Sequence, residues 1–313
     1  MRRLICLVLP VVFAAVGAAA SEPVSIAVPR FTLWTIEQPV KVIEQEYDTL
    51  APGAHTRYRM REVEIPEEIL REIELPVLTD IFIRKLADSS KFSVIERAKA
   101  DVLAEEIEKG GDGSALAKKG RSLGVQLIAV GTLTYAARDV ELKPVAYTAR
   151  TDRVERGEIR VDLRILDVDT GRIVATVPGQ GRIERRIRED TAEPRPMPGS
   201  LIVDLREELA HDLMAGTVDA LYPFKVVTVK GKTAFADRGG NFRIRKGEMF
   251  DVIRRGSPIV DPDTGSVIAF DEEVLDRVVV TDVLPKACRV ESVSGSSRIS
   301  PGDILKPADV TSP

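Results

Sequence analysis

The chain has 313 residues, enough for one large or two modest domains that each bury a core. Charged residues make up 30% of it and the formal net charge is −4, values typical of a soluble globular protein. An acidic balance gives no electrostatic case for binding nucleic acid. We therefore expect no nucleic-acid partner.

The first twenty residues have the pattern of a secretory signal. Arg2 and Arg3 form a basic start, residues 4–13 form a short apolar segment, and Ala18–Ala20 supply a small-residue cleavage site before Ser21. The apolar segment is too short for a membrane anchor. We expect cleavage after Ala20 and a mature protein in the periplasm, free or associated with the outer membrane.

The chain contains two cysteines. Cys6 precedes most of the apolar signal segment, so it is not a lipidation cysteine of the usual kind. Cleavage leaves Cys288 without an intramolecular partner, and its apolar surroundings predict a small buried hydrophobic residue.

The first half of the mature chain alternates strand and helix patterns. Val24–Val28 and Phe92–Ile95 are short apolar segments typical of strands, and Arg97–Lys109 has helical spacing. A helix should begin near Pro66, and Pro76 should kink it or divide it in two.

A buried strand and the hairpin that follows it form the predicted centre of the fold. Leu127–Val130 is a continuous apolar segment, as expected for a strand covered on both faces. The preceding helix, Ala115–Leu123, should end at Gly124, and Gly120 should bring it close to the sheet. The segment Ile159–Val177 predicts an antiparallel hairpin with its turn at Asp169-Thr170-Gly171.

Three of these motifs together resemble the CsgG family. They are Lys91–Arg97 (KFSVIER), Gly120–Thr132 (GRSLGVQLIAVGT) and Ile159–Val174 (IRVDLRILDVDTGRIV), in the order and spacing of that family. The resemblance covers roughly residues 24–221 and departs at Val125-Gln126, where the family usually has Ala-Asp. It implies a relative of the outer-membrane secretion channel for curli subunits or of the non-channel periplasmic members.

Two charged connections decide between those alternatives. Tyr135–Glu158 and Pro178–Gly199 correspond to the segments that the channel-forming member extends across the membrane. The first carries ten charged residues, and Arg182–Asp190 carries seven in nine positions. An arginine facing lipid near the bilayer centre costs roughly 2–4 kcal/mol. We therefore predict that both connections are solvated loops, with a pore as the alternative.

The last third of the chain changes from helices to short strands. Ser200 should begin a leucine-rich helix that Pro223 ends, and six short strands then suggest a small all-β, barrel-like domain. This region resembles the C-terminal domain of the flagellar H-ring protein FlgT. The predicted fold class is α/β with that β domain, divided into residues 1–20 (signal peptide), 21–222 (CsgG-like domain) and 223–313 (FlgT-like domain). The six strands are expected at Lys225–Val229, Phe242–Ile244, Met249–Ile253, Val267–Phe270, Val278–Val283 and Arg289–Val293.

No motif indicates a catalytic, cofactor-binding or metal site. Asp261-x-Asp263-x-Gly265 resembles part of a calcium loop, but Ser266 replaces the required glycine and strands flank it, which favours a hairpin turn. Gly111-Asp112-Gly113 lacks the third glycine of a dinucleotide loop. His55 and His211 lie in unrelated regions without other ligand residues nearby in sequence.

The sequence therefore favours a non-enzymatic, CsgG-like assembly or structural component of a curli-type, flagellar or cell-wall apparatus, peripheral to the outer membrane. Its expected partners are copies of itself and envelope or secretion-apparatus proteins, with no cofactor. A pore-forming curli-type channel is the first alternative and an envelope enzyme the second.

Overall fold

The computed structural model describes residues 23–33, 41–46, 57–62, 67–108, 113–144, 147, 151–188, 200–263, 265, 267–295 and 298–308. The predicted signal peptide lies outside these ranges. The elements in chain order are β1 (Val24–Ala27), β2 (Thr32–Leu33), β3 (Lys41–Glu46), β4 (Arg57–Glu62), α1 (Glu67–Ile73), α2 (Leu75–Asp88), β5 (Phe92–Ile95), α3 (Arg97–Glu108), α4 (Gly113–Leu123), β6 (Leu127–Pro144), β7 (Thr151–Asp167), β8 (Ile173–Arg188), α5 (Ser200–Leu221), β9 (Val226–Lys230), β10 (Thr233–Ala236), β11 (Met249–Val260), β12 (Val267–Val283), β13 (Cys288–Ser292) and β14 (Ile304–Pro307).

The first sheet is mixed and helices cover both of its faces, which confirms the α/β fold class. Its strand order is β5-β1-β6-β7-β8, with β2 also paired to β6. The strands β5, β1 and β6 are parallel, whereas β6, β7 and β8 form an antiparallel meander. Buried residues of α1, α2 and α5 pack on one face, and those of α3 pack on the other. The hairpin β3–β4 forms a separate two-stranded sheet.

The central strand is buried on both sides, as its apolar sequence predicts. Ile128 and Ala129 are both fully buried, yet they belong to separate hydrophobic clusters. Neighbouring side chains on a strand point to opposite faces, so the two clusters are the two layers that enclose the sheet.

Several local features lie where the sequence places them. The predicted first helix divides into α1 and α2 at Glu74, which has a φ of 47°, and Pro76 lies at the start of α2. Gly124 ends α4 and Gly171 closes the hairpin, with φ values of 69° and 66° that favour glycine. At Gly120 a Cβ atom would overlap the side chain of Val168, so this glycine does bring α4 close to the sheet layer.

The second sheet has the order β14-β11-β12-β13-β10-β9 and its own hydrophobic core. It is not a closed barrel, because its first and last strands, β14 and β9, form no ladder with each other. The start of β9 is joined to the start of β14 by a bridge between Lys225 and Ile304 and by backbone hydrogen bonds such as the one from the N–H of Val226 to the carbonyl of Asp303, at 2.8 Å. The strand expected at Phe242–Ile244 is wrong. Residues 240–242 form a 3₁₀ turn, and Arg243 follows with a φ of 58°, which a strand does not allow.

The expected strands Val267–Phe270 and Val278–Val283 belong to one strand, β12. The first part of the stretch between them, residues 271–274, has no apolar alternation, because it lies outside the core and is exposed to solvent. In the part of the chain that the structure describes, no helix is both long and apolar enough to span a membrane.

Candidate interaction surfaces

The charged connections around β7 are strands, so the prediction of solvated loops is wrong for the described parts of them. Pro144 pairs with Thr151, and Asp152 pairs with Arg188, near the far ends of the three strands. We call this extension the ribbon (residues 138–144, 151–158 and 181–188). Its charged residues are compatible with strands because opposite charges face one another across the ladder. The rest of the second connection, residues 189–199, lies outside the described ranges.

The outer face of the ribbon carries an ion-pair ladder centred on Arg156. Its guanidinium contacts Glu141 at 3.0 Å, Glu184 at 3.2 Å and Asp139 at 3.6 Å. Hydrogen bonds to Glu141 and Glu184 raise the pKa of Arg156 above its ordinary value. This face is therefore charged and exposed to solvent, and the charges around Arg156 are paired within the chain.

The inner face lies directly against α5. A Cβ atom at Gly181 would come within 2.6 Å of the carbonyl oxygen of Leu205, and one at Gly157 would overlap the side chain of that leucine. Because glycine has no Cβ atom, the backbones of β8 and α5 come into close contact. The inner face of the ribbon therefore packs directly on α5.

A charged cluster lies between the ribbon and the start of α5. Glu155 is only 3% exposed and accepts hydrogen bonds from Arg153 and from Arg185, the latter at 2.6 Å. Arg185 also donates to the hydroxyl of Ser200 at 2.7 Å and lies 3.3 Å from Asp204. Burial raises the pKa of Glu155, but the hydrogen bonds from the two arginines outweigh it and hold the pKa below its usual value.

Glu155 belongs to a connection that the sequence predicts to be solvated, yet the covered face of β7 buries it. The available signal was the two-residue period of the strand. Counting back from the buried residues Ile159 and Val161 places Glu155 on the covered face.

The outer edge of β8 is open along the ribbon. Near the middle of the strand the N–H of Gln180 donates to Asp212 of α5 at 2.8 Å, and Pro178 has no N–H to offer. The two-residue period places the N–H groups of Arg182, Glu184 and Arg186 on the same outward edge. Among the described residues no strand pairs with that edge.

A second open feature is the arm (residues 254–260 and 267–274), the part of β11 and β12 that extends beyond the second sheet. The neighbouring strands β14 and β13 pair only with the inner parts of β11 and β12. Several apolar side chains of the arm are exposed, including Ile268 at 66%. Arg255 stacks over the ring of Phe270 at 5.0 Å. Exposed apolar side chains on a hairpin that no other strand pairs with are typical of a surface that contacts another molecule.

The calcium-like motif forms the turn at the tip of the arm. The carboxylate of Asp261 accepts from the N–H of Asp263 at 2.8 Å, and its carbonyl accepts from the N–H of Gly265 at 2.9 Å. Glu272 lies on β12, where it contacts Lys306 and Arg255. These contacts are those of a hairpin turn.

The remaining candidate residues do not come together. No cluster of potential metal ligands occurs among the described residues. Burial raises the pKa of Cys288 to about 12, so this thiol does not form a thiolate near neutral pH. His211 lies on α5, and Gly113 begins α4, whereas His55 and Gly111-Asp112 lie outside the described ranges.

Comparison with known proteins identifies the segment that contains the ribbon. Residues 76–190 match the family model described as "Curli production assembly/transport component CsgG". This segment is CsgG-like. The match runs from α2 to just past the end of β8 and includes the three motifs on which the resemblance rested. It does not extend into residues 223–313, so the FlgT likeness stays a prediction.

Solved structures with some likeness to the chain include three bacterial proteins. The hypothetical protein CT253 from Chlamydia trachomatis is 9% identical, with coverage of 64% of this chain and 98% of that one and a TM-score of 0.32. The PelC L103M dodecamer from Paraburkholderia phytofirmans is 12% identical, with coverage of 63% and 93% and a TM-score of 0.26. Protein XCC0632 from Xanthomonas campestris, of the DUF330 family model, is 13% identical, with coverage of 64% and 92% and a TM-score of 0.28. These scores are too low to support a functional argument.

One curated protein also matches, the β subunit of a DNA-directed RNA polymerase from Oceanobacillus iheyensis. It is 25% identical over 267 residues, which cover 80% of this chain and 20% of the subunit. The chain therefore spans about a fifth of the length of this relative.

Proposed function

We propose that the protein is a non-enzymatic, CsgG-like assembly component of the bacterial envelope, which associates with copies of itself through the open edge of β8. The observation that carries the proposal is that the CsgG-like segment ends with a strand whose outward N–H groups have no partner strand in the described chain. Unpaired strand edges are templates for pairing with another chain.

A proline substitution on the edge tests the self-association. Glu184→Pro removes one outward N–H and leaves the ladder to β7 intact, as Pro178 already does along the same edge. We expect the mature wild-type chain to be a multimer by light scattering after size-exclusion chromatography, and Glu184→Pro to be a monomer.

Glu184→Ala is the matched control, because it removes the ion pair to Arg156 but keeps the N–H. It should remain a multimer. A monomeric wild type, or equal dissociation by both substitutions, would remove the support for edge pairing.

The envelope location rests on the predicted signal peptide. Cleavage after Ala20 removes Arg2 and Arg3 and takes the formal net charge from −4 to −6. Protein isolated from the envelope should therefore have the mass of a chain that begins at Ser21, without added lipid. An intact mass that retains residues 1–20, or carries an acyl group, contradicts the periplasmic assignment.

A pore-forming secretion channel is the second candidate, and the ribbon favours it more than the sequence did. The strands β6, β7 and β8 have 18, 17 and 16 residues, and a membrane-crossing strand needs about 9–11. Two features argue against a channel: the outer face of the ribbon is charged, and α5 covers its inner face. Neither face therefore offers lipid a continuous apolar surface.

A further inference from the structure

The two sheets meet where α5 contacts the turn after β10. Arg243 donates two hydrogen bonds to the carboxylate of Glu208, at 2.7 and 2.6 Å. Arg238 donates to the carbonyl of Tyr222 at 2.8 Å and is paired with Asp219. These contacts fix the turn of residues 238–243, which follows β10, against the C-terminal half of α5.

A half-buried histidine lies within this contact. The imidazole of His211 hydrogen-bonds the backbone of Asn241, while its Nε2 atom is buried and has no partner among the described residues. Both polar atoms of the Asn241 side chain are likewise buried without a partner there. A neutral imidazole donates from one nitrogen only, so it satisfies the bond to Asn241 and leaves Nε2 as an uncharged acceptor.

The charged groups around His211 disfavour a second proton on the ring. Arg243 faces it from the turn and Lys85 faces it from α2, and only Glu208 of α5 opposes them. Glu208 is already bound by Arg243. The neighbouring acids of α5 are also bound, because Glu207 pairs with Arg84 and Lys85 and Asp212 accepts the N–H of Gln180.

We propose that His211 is a proton-sensitive contact between the two sheets, which keeps residues 239–243 docked on α5 while it is neutral and loosens them when it is protonated. A protonated ring adds a buried donor without a partner and a third positive charge beside Arg243 and Lys85. The protein would then respond to mild acid at the junction of its two sheets, a property separate from edge pairing through β8.

The direction of the effect follows from the electrostatics. Burial, Arg243 and Lys85 hold the pKa of His211 below its ordinary value of 6.5. The open junction therefore binds a proton more readily than the docked one. Docking is complete above the ordinary pKa and is lost as the pH falls through the lowered one, with a change of up to about tenfold in the opening equilibrium per pH unit.

Hydrogen exchange of the full mature chain tests this proposal. Between about pH 7.5 and about pH 5.5, a range in which histidine changes charge, the amides of residues 239–243 should lose protection, after correction for intrinsic exchange. His211→Asn keeps a donor at the Nδ1 position but does not titrate, so its junction should show the same protection at both pH values. The sequence has only one other histidine, so His55→Asn is the matched control and should behave as the wild type.

A titration of the wild-type imidazoles by NMR keeps the proposal testable if His211→Asn does not fold. The His211 resonance should titrate below 6.5. A His211 that titrates at or above this value, or a His211→Asn junction that loses protection in acid as the wild type does, overturns the proposal.

Discussion

Glu155 shows how a single carboxylate can lie on the covered face of a strand. Two arginines supply hydrogen bonds to it, and Arg185 connects it to the first turn of α5 through Ser200. Removing one member of such a cluster leaves the buried charges of the others without a partner. This costs more folding free energy than breaking an exposed ion pair.

We expect Glu155→Gln to lower the free energy of unfolding by about 1–3 kcal/mol, measured by urea denaturation at neutral pH. Glu158→Gln is the matched control, since Glu158 pairs with Arg160 on the more exposed outer face. It should cost at most about 1 kcal/mol. Equal losses of unfolding free energy for the two variants would show that the buried cluster stabilises the fold no more than an exposed ion pair does.

The same cluster predicts a dependence on pH. The folded-state pKa of Glu155 lies below its ordinary value of 4.5, so the stabilisation is complete above that value and is lost as the pH falls through the lowered pKa. The difference in unfolding free energy between wild type and Glu155→Gln should therefore shrink in acid. A difference that stays constant from about pH 6 to about pH 3 contradicts this assignment.

Among the elements, the contact between α5 and β8 depends on glycine. Gly181→Ala places a methyl group 2.6 Å from the backbone oxygen of Leu205, so helix and strand must separate. We expect a loss of about 1–3 kcal/mol in unfolding free energy. Gly256→Ala, on the arm, meets its nearest atom at 3.4 Å and should have little effect. A stable Gly181→Ala protein would contradict this close packing.

Local features of these elements were predictable because they are set by few residues. Gly171 and Gly124 adopt positive φ at the expected turn and helix end, Pro76 begins a new helix, and Ile128–Ala129 mark the buried strand. Each depends on the conformational preference or polarity of a short segment.

The ribbon was not predictable in the same way. Arg156 is stable on a strand because Asp139, Glu141 and Glu184 lie beside it, and the last of these is 28 residues away. A charged segment alone does not reveal its cross-strand partners. The acidic part of β12 was not predictable for a related reason. An exposed arm has no buried face, so its sequence shows no two-residue alternation of apolar and polar residues.

At the scale of the whole molecule, we propose that the chain contains two folding units divided near Pro223, since each sheet has a separate hydrophobic core. A fragment from Phe224 to Pro313 should unfold cooperatively on its own. Circular dichroism during thermal melting measures this directly, with the full mature chain as the reference. A fragment without a cooperative transition places the boundary elsewhere.

We propose that the ribbon is an interaction edge that remains in water. Purified mature protein should remain in the aqueous phase without detergent and should leave dye-loaded liposomes intact, because lipid would have to cover the Arg156 ladder. Deletion of residues 182–188 should then change self-association but not dye retention. Reproducible dye release by the wild type at low concentration, abolished by that deletion, would contradict the account and support the secretion channel.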